Sequence, residues 1–236
     1  MKATHRFLHS QIAAVTASLC LCSSLHAANY YWDTNGTATT PGGALGDVAG
    51  IWGTSAFVAT VPGGILDGTA TTAATATGNA DSIQFGTNNL ALGSTASTIG
   101  IAAGGVTINT IIFGTGQGSQ GVTLSGGGGS ITLAGNAPSG TPTIAANNTG
   151  TNTIGAVLTG TAGMIKAGPG TLVLTGANTY TGTTSVMGGG TLQVGNGTTG
   201  NLNNSTVSAL TFNNGGGVFH VSRAAGSSQN MGALTA

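Results

Sequence analysis

The side chains that could do acid–base, nucleophilic or metal chemistry in this chain are few and widely separated. The carboxylates are Asp33, Asp47, Asp67 and Asp81, and Glu is absent. The cations are Lys2, Arg6, Lys166 and Arg223; the histidines are His5, His9, His26 and His220; the thiols are Cys20 and Cys22. Glycoside hydrolysis normally takes two carboxylates about 5–10 Å apart, and all four acids here lie at or before the first regular strand run. Lyase chemistry wants Arg or Lys beside acidic metal ligands, and neither Lys166 nor Arg223 has an acid nearby in sequence. A Ser-His-Asp triad would have to recruit His220 from far along the chain, and no G-x-S-x-G accompanies it. Metal centres need His, Cys or carboxylates together, and beyond the N-terminal segment His220 stands alone. Gly116, Gly118 and Gly121 form a G-x-G-x-x-G, but the strand-like VTLSG follows where a nucleotide site needs a helix. The Gly-rich calcium-binding repeat needs Asp at fixed intervals, and Asp stops at Asp81. The expectation is therefore a non-enzyme: catalytic residues none, cofactor none, metal none.

Composition says what the scaffold is made of. Of 236 residues 44 are Gly, 40 are Thr, and only 3% are charged, where a globular domain carries roughly 25%. Gly costs about 1 kcal/mol per helical position, so a helical protein is excluded. Nucleic-acid binding is excluded by the lack of a basic excess to neutralise phosphates. Collagen is excluded because the glycines keep no three-residue period and Pro numbers 5. The hydrophobic fraction, 39%, is too high for a simple disordered linker. An all-β chain of Thr, Val and Ile punctuated by Gly and Asn remains.

Residues 1–27 read as a secretory signal peptide. Lys2 and Arg6 precede a mostly apolar run from Gln11 to about Cys22, and SSLHAA offers a small-residue cleavage site after Ala27. The run is too short for a membrane anchor, which takes roughly 18–20 residues. Cleavage would remove both cysteines and three of the four histidines, leaving a net charge of −2. Such a chain has no disulfide to rely on and must be held by backbone pairing and apolar stacking.

Residues 28–80 differ in character from residues 81–236. They hold both Trp, the pair Tyr30 and Tyr31, three of the four Asp and the low-complexity TATTAATAT. We read 28–80 as an irregular aromatic-containing cap, with a carbohydrate-binding platform as the functional alternative. From Asp81 the sequence becomes short apolar-alternating runs ended by Gly or Asn, among them SIQFG, VTINTIIFG, GVTLSG, SITLAG, GTLVLTG and GTLQVGN. They repeat: FGT recurs at Phe85 and Phe113, GTL at Gly170 and Gly190, and LTFNNG near Phe212 is a looser relative. Leu172 and Leu174 should face one way, Thr171 and Val173 the other. A sandwich or barrel would want hairpin signals and a wider aromatic core. Ile, Leu and Val at a period of 20–28 residues suit a narrow repetitive one. Residues 81–236 are accordingly expected to be a parallel β-helix, a β-solenoid of about three strands per coil.

Within it, GMIKAGPGTLVLTGANTYTGTTSVMGGGTLQVGNG, residues 163–197, resembles the autotransporter-associated β-strand repeat, also called the passenger-associated transport repeat. The matching positions are Lys166, Gly168, Gly170-Thr171-Leu172, Leu174, Gly176, Asn178-Thr179-Tyr180-Thr181-Gly182, Thr184, Val186, Gly190-Thr191-Leu192 and Val194-Gly195. Ile165 and Ser185 depart mildly. The resemblance implies a segment of an exported bacterial passenger, a stalk or surface-display and adhesion module, and it brings no catalytic residues. From the residues themselves, Asn178 should bond neighbouring backbone at a corner, Tyr180 should pack its ring on the adjacent coil with its hydroxyl in water, and Lys166 should point outward.

The sequence stops at NMGALTA without the alternating segments of an outer-membrane barrel, so the expectation is either part of a larger passenger or a chain released after export. The localisation expected is secreted or cell surface. The partners expected are neighbouring repeats, outer-membrane translocation or anchoring machinery, surface glycans, and a second copy meeting at solenoid ends, where strand edges are open. A β-helix carbohydrate-active enzyme is the competing reading.

Overall fold

The computed structural model describes residues 27–32, 49–55, 57–59, 73–74, 77–86, 91–93, 95–135, 140–203 and 209–236. Residues 1–26 of the stretch read as a signal peptide, and the acids Asp33, Asp47 and Asp67, lie outside them. The described chain is β throughout, with one 3-10 turn at Thr115–Gln117 and no α-helix.

Four strands open it: β1 (Asn29–Tyr31), β2 (Ala49–Trp52), β3 (Phe57–Ala59) and β4 (Ala73–Ala74). Three coils of three strands follow. They are β5 (Ser82–Phe85), β6 (Ser97–Ile101) and β7 (Val106–Ile108); β8 (Thr110–Phe113), β9 (Val122–Ser125) and β10 (Ser130–Leu133); β11 (Thr143–Ala146), β12 (Thr151–Ile154) and β13 (Val157–Thr159). Later coils have two strands each: β14 (Met164–Ala167) with β15 (Thr171–Leu174), β16 (Thr184–Met187) with β17 (Thr191–Val194), and β18 (Leu210–Asn213) with β19 (Val218–Val221). β20 (Leu234–Thr235) closes the described chain.

Each side of the coil stacks on the same side of the next. The first sides form a sheet in the order β20-β18-β16-β14-β11-β8-β5-β1-β3-β4, the second sides β19-β17-β15-β12-β9-β6-β2, and the third β13-β10-β7. Every pairing is parallel except β1 with β3 and β3 with β4. This is the parallel β-solenoid that the composition and periodicity imply.

Period-two alternation becomes columns of like side chains. One inward column runs Ile83, Ile111, Ile144; another runs Ile99, Leu124, Ile154, Leu174, Val194, and all eight are fully buried. Leu172 pairs with Leu192 in a third, as the recurrent GTL predicts. The two FGT copies are stacked partners: Phe85 pairs with Phe113 at 5.8 Å between ring centroids. VTLSG and SITLAG, though alike, are two sides of one coil rather than successive turns.

Val173 corrects an expectation in degree. Its column is the outward one, between Thr153 and Gln193, yet it is only 7% exposed. Strands about 4.8 Å apart leave little of a β-branched side chain uncovered when both neighbours are of similar size.

Candidate functional site

The four ionisable candidates among the described residues are Asp81, Lys166, His220 and Arg223, and they do not converge. Asp81 precedes β5 and serves the backbone: its carboxylate accepts the N–H of Ala28 at 2.9 Å and of Gly78 at 2.6 Å. The first of these ties the start of β1 to the solenoid. Burial and the Asp81 charge raise the Tyr30 phenol above its usual range. His220 lies on β19 with Nδ1 3.2 Å from the Gln193 amide oxygen. Arg223 donates to Ser227 and Gln229. No group of three His, Cys, Asp or Glu comes together among the described residues. Gly116 lies in the 3-10 turn, Gly118 caps it, and Gly121 directly precedes β9, a strand. No described helix is long and apolar enough to cross a membrane.

The polar groups that do converge sit inside the stack, at the coil corners of residues 148–184. Lys166 overturns the outward expectation. It is fully buried and occupies the inward column between Ile144 and Val186. Its Nζ donates to the carbonyls of Gly168 at 2.5 Å and Gly170 at 2.6 Å. Alternation carried the signal: Met164, two residues earlier, is buried on the same face, and period two places Lys166 beside it. The physical reason for burial is the glycine turn, whose inward carbonyls need a donor that no neighbouring apolar side chain supplies. Gly168 turns the chain at φ +79°. Gly190, in the next coil, lies where a Cβ would overlap the Lys166 ammonium and the Gly168 and Gly170 oxygens. Burial lowers the ammonium to about 8, so the charged form is the one present at pH 7.

Tyr180 corrects a second expectation. The ring packs inward as part of the core, but the hydroxyl is buried too, 2.8 Å from the Thr184 hydroxyl. Burial pushes the phenol well above its usual range; the Thr184 bond acts in the opposite sense. The backbone N–H groups of Thr179 and Tyr180 both donate to Leu158 O, so the NTYTG segment takes the place of a third-side strand on top of β13.

Asn178 behaves as its residue type suggests. Its Oδ1 accepts the Leu158 N–H at 2.9 Å, and its Nδ2 donates to Gly176 O at 3.1 Å and Asn201 O at 2.8 Å. One amide thereby spans three successive coils. A second amide clip, not foreseen from sequence, joins Asn148 and Asn152. Asn152 Nδ2 donates to Asn148 Oδ1 at 2.7 Å, and Asn152 Oδ1 accepts the Val122 N–H. Asn152 sits in the inward column between Val122 and Leu172, a position that period-two reading assigns to an apolar residue.

The arrangement binds backbone to backbone. Its donors and acceptors are spent on corners, and the outward columns beside it are Thr151, Thr171 and Thr191 in one, and Thr153, Val173 and Gln193 in another. No curated protein and no solved structure matches the chain. A family model does match the two coils that carry Lys166, Asn178 and Tyr180: residues 164–194, from β14 to the end of β17, are similar to the passenger-associated transport repeat.

Proposed function

We propose that the chain is a non-catalytic segment of an exported passenger, a β-solenoid stalk or surface-display module. The observation that carries this reading is the family match on two coils of a parallel solenoid. Together they support an autotransporter passenger-type role, for which secreted or outer-surface localisation is the general rule. The build of the coils supports it further. Lys166 and Asn178, the side chains best suited to chemistry in the matched stretch, are buried and bonded to the chain's own carbonyls and amides. A stalk requires a column of stacked units, and repeats stack by nearest-neighbour contacts. Neighbouring repeats and the outer-membrane export machinery are the partners this role calls for.

Two experiments test it. Incubating the purified chain with a panel of polysaccharides should release no new reducing ends and no unsaturated products. Turnover of any member would transfer the chain to the carbohydrate-enzyme class. Intact-mass measurement of the exported product should show loss of residues 1–27; a product retaining Cys20 and Cys22 would contradict the export step.

A further inference from the structure

Apolar matching alone does not account for the register of β14. In the structure Met164 lies against Thr184, and Lys166 lies between Ile144 and Val186. Sliding β14 by two residues would keep every side chain on its own face, since only odd slips exchange faces. It would also set Met164 between Ile144 and Val186, apolar on apolar on both sides. By side-chain hydrophobicity the slipped register is at least as good as the observed one. Something other than the apolar pattern selects the observed register.

We propose that Lys166 is a register lock for the stack: its buried ammonium, clamped to the Gly168 and Gly170 carbonyls, anchors β14 at one position along β11 and β16. The clamp is local enough to be selective. Nζ reaches two and four residues onward in its own coil, so it holds the corner at a set distance from the strand. Gly170 O also accepts the Thr191 N–H of the next coil, so the same carbonyl links the clamp to β17. Gly190 completes it, because only a residue without Cβ leaves room for the ammonium. Charge-assisted bonds of this kind are the strong ones. A single buried polar group that selects a register against well-packed alternatives is the best-attested use of such groups. Ile144 and Val186, the neighbours in its column, carry no ionisable group.

Cysteine cross-linking reads the register directly. In the full chain with Cys20→Ser and Cys22→Ser, one variant carries Ile165→Cys with Ser185→Cys, which are outward register partners. A second carries Ile165→Cys with Met187→Cys. The observed register puts that second pair about 8 Å apart, beyond the roughly 7 Å limit for a disulfide; the slipped register makes it adjacent. With Lys166 present, the 165–185 pair should oxidise and the 165–187 pair should not. With Lys166→Met, both registers set a methionine against Val186, and the 165–187 product should rise from undetectable to at least a third of the chains. Lys166→Gln, which keeps an uncharged N–H donor group for the corner, should show a smaller but measurable 165–187 fraction. If Lys166→Met gives no folded protein, that fraction in Lys166→Gln decides. Absence of the 165–187 product in every folded variant would overturn the lock and leave the glycine turns as the determinant of register.

Discussion

The first coils and the coils of the matched repeat solve the same packing problem with different materials. Near the N-terminus the interior is filled by bulk. Trp32 and Trp52 lie 5.8 and 5.9 Å from Phe85, which stacks on Phe113, and all four are fully buried. In the repeat coils no such ring stack occurs among the described residues. A lysine, an asparagine and a single tyrosine take inward positions, and each is bonded to a corner. The size of the coil explains the difference. Phe85 and Phe113 are 28 residues apart and enclose three strands, whereas Leu172 and Leu192 are 20 apart and enclose two. A short coil brings its corners, with their inward carbonyls and amides, into the centre. A phenylalanine ring there would leave those groups without partners, at about 1–3 kcal/mol each.

If this contrast is right, the two regions should fail differently. Among side-chain truncations the largest effect is expected at the aromatic end: Phe113→Ala removes the ring beneath Phe85 and should cost about 3–5 kcal/mol, read by denaturant melting. Asn178→Ala attacks the repeat end by leaving the Leu158 N–H without its acceptor, at about 2–3 kcal/mol. Filling the space with apolar atoms should not restore it, so Asn178→Leu should melt no higher than Asn178→Ala. Rescue by leucine would erase the distinction between the regions.

Dependence on pH sharpens the comparison, because among the described residues the fully buried lysine and the fully buried tyrosine both lie in the repeat coils. Lys166 is lowered from 10.5 to about 8. Between those values the unfolded chain holds the proton that the folded chain has lost, so stability should rise with pH through that window. Tyr180 is raised above 10.0. Above pH 10 the unfolded chain loses a proton that the folded chain keeps, so stability should fall. The melting temperature should therefore pass through a maximum near pH 10, and Lys166→Met should remove the rising limb. A monotonic fall from pH 8 would contradict the burial of Lys166. The smallest effect is expected from Tyr180→Phe, which keeps the ring and loses the Thr184 bond; about 1 kcal/mol corresponds to a shift of roughly 2–4 °C.

The solenoid was legible because its signals are local and repeated. FGT and GTL mark the columns Phe85–Phe113 and Leu172–Leu192, and Gly marks the corners. Three features were not legible, each for a physical reason. Lys166 reads as outward by residue type, since lysine is almost never fully buried unless paired; here the partners are main-chain carbonyls, which sequence does not display. The Tyr180 hydroxyl reads as wet because its partner Thr184 lies across a turn from it. Asn152 interrupts an apolar column because the Asn148–Asn152 clip compensates it, and that closure depends on the corner between β11 and β12. Periodicity finds strands and faces, whereas satisfaction of buried polar groups is settled only in three dimensions.

The central claim is that the repeat coils stack in register with alternate residues inward. The direct test compares two single substitutions on β15 by thermal melting. Leu172 is fully buried against Asn152 and Leu192, and Thr171 next to it belongs to the outward threonine column; Val173, nearly buried itself, is the poorer control. Leu172→Asp places a carboxylate in the interior beside an Asn152 amide already engaged by Asn148, at a cost of several kcal/mol, and should abolish the cooperative transition or lower it by more than about 10 °C. Thr171→Asp should move it by no more than a few degrees. Equal shifts in the two variants would contradict the alternation and, with it, the stacked solenoid.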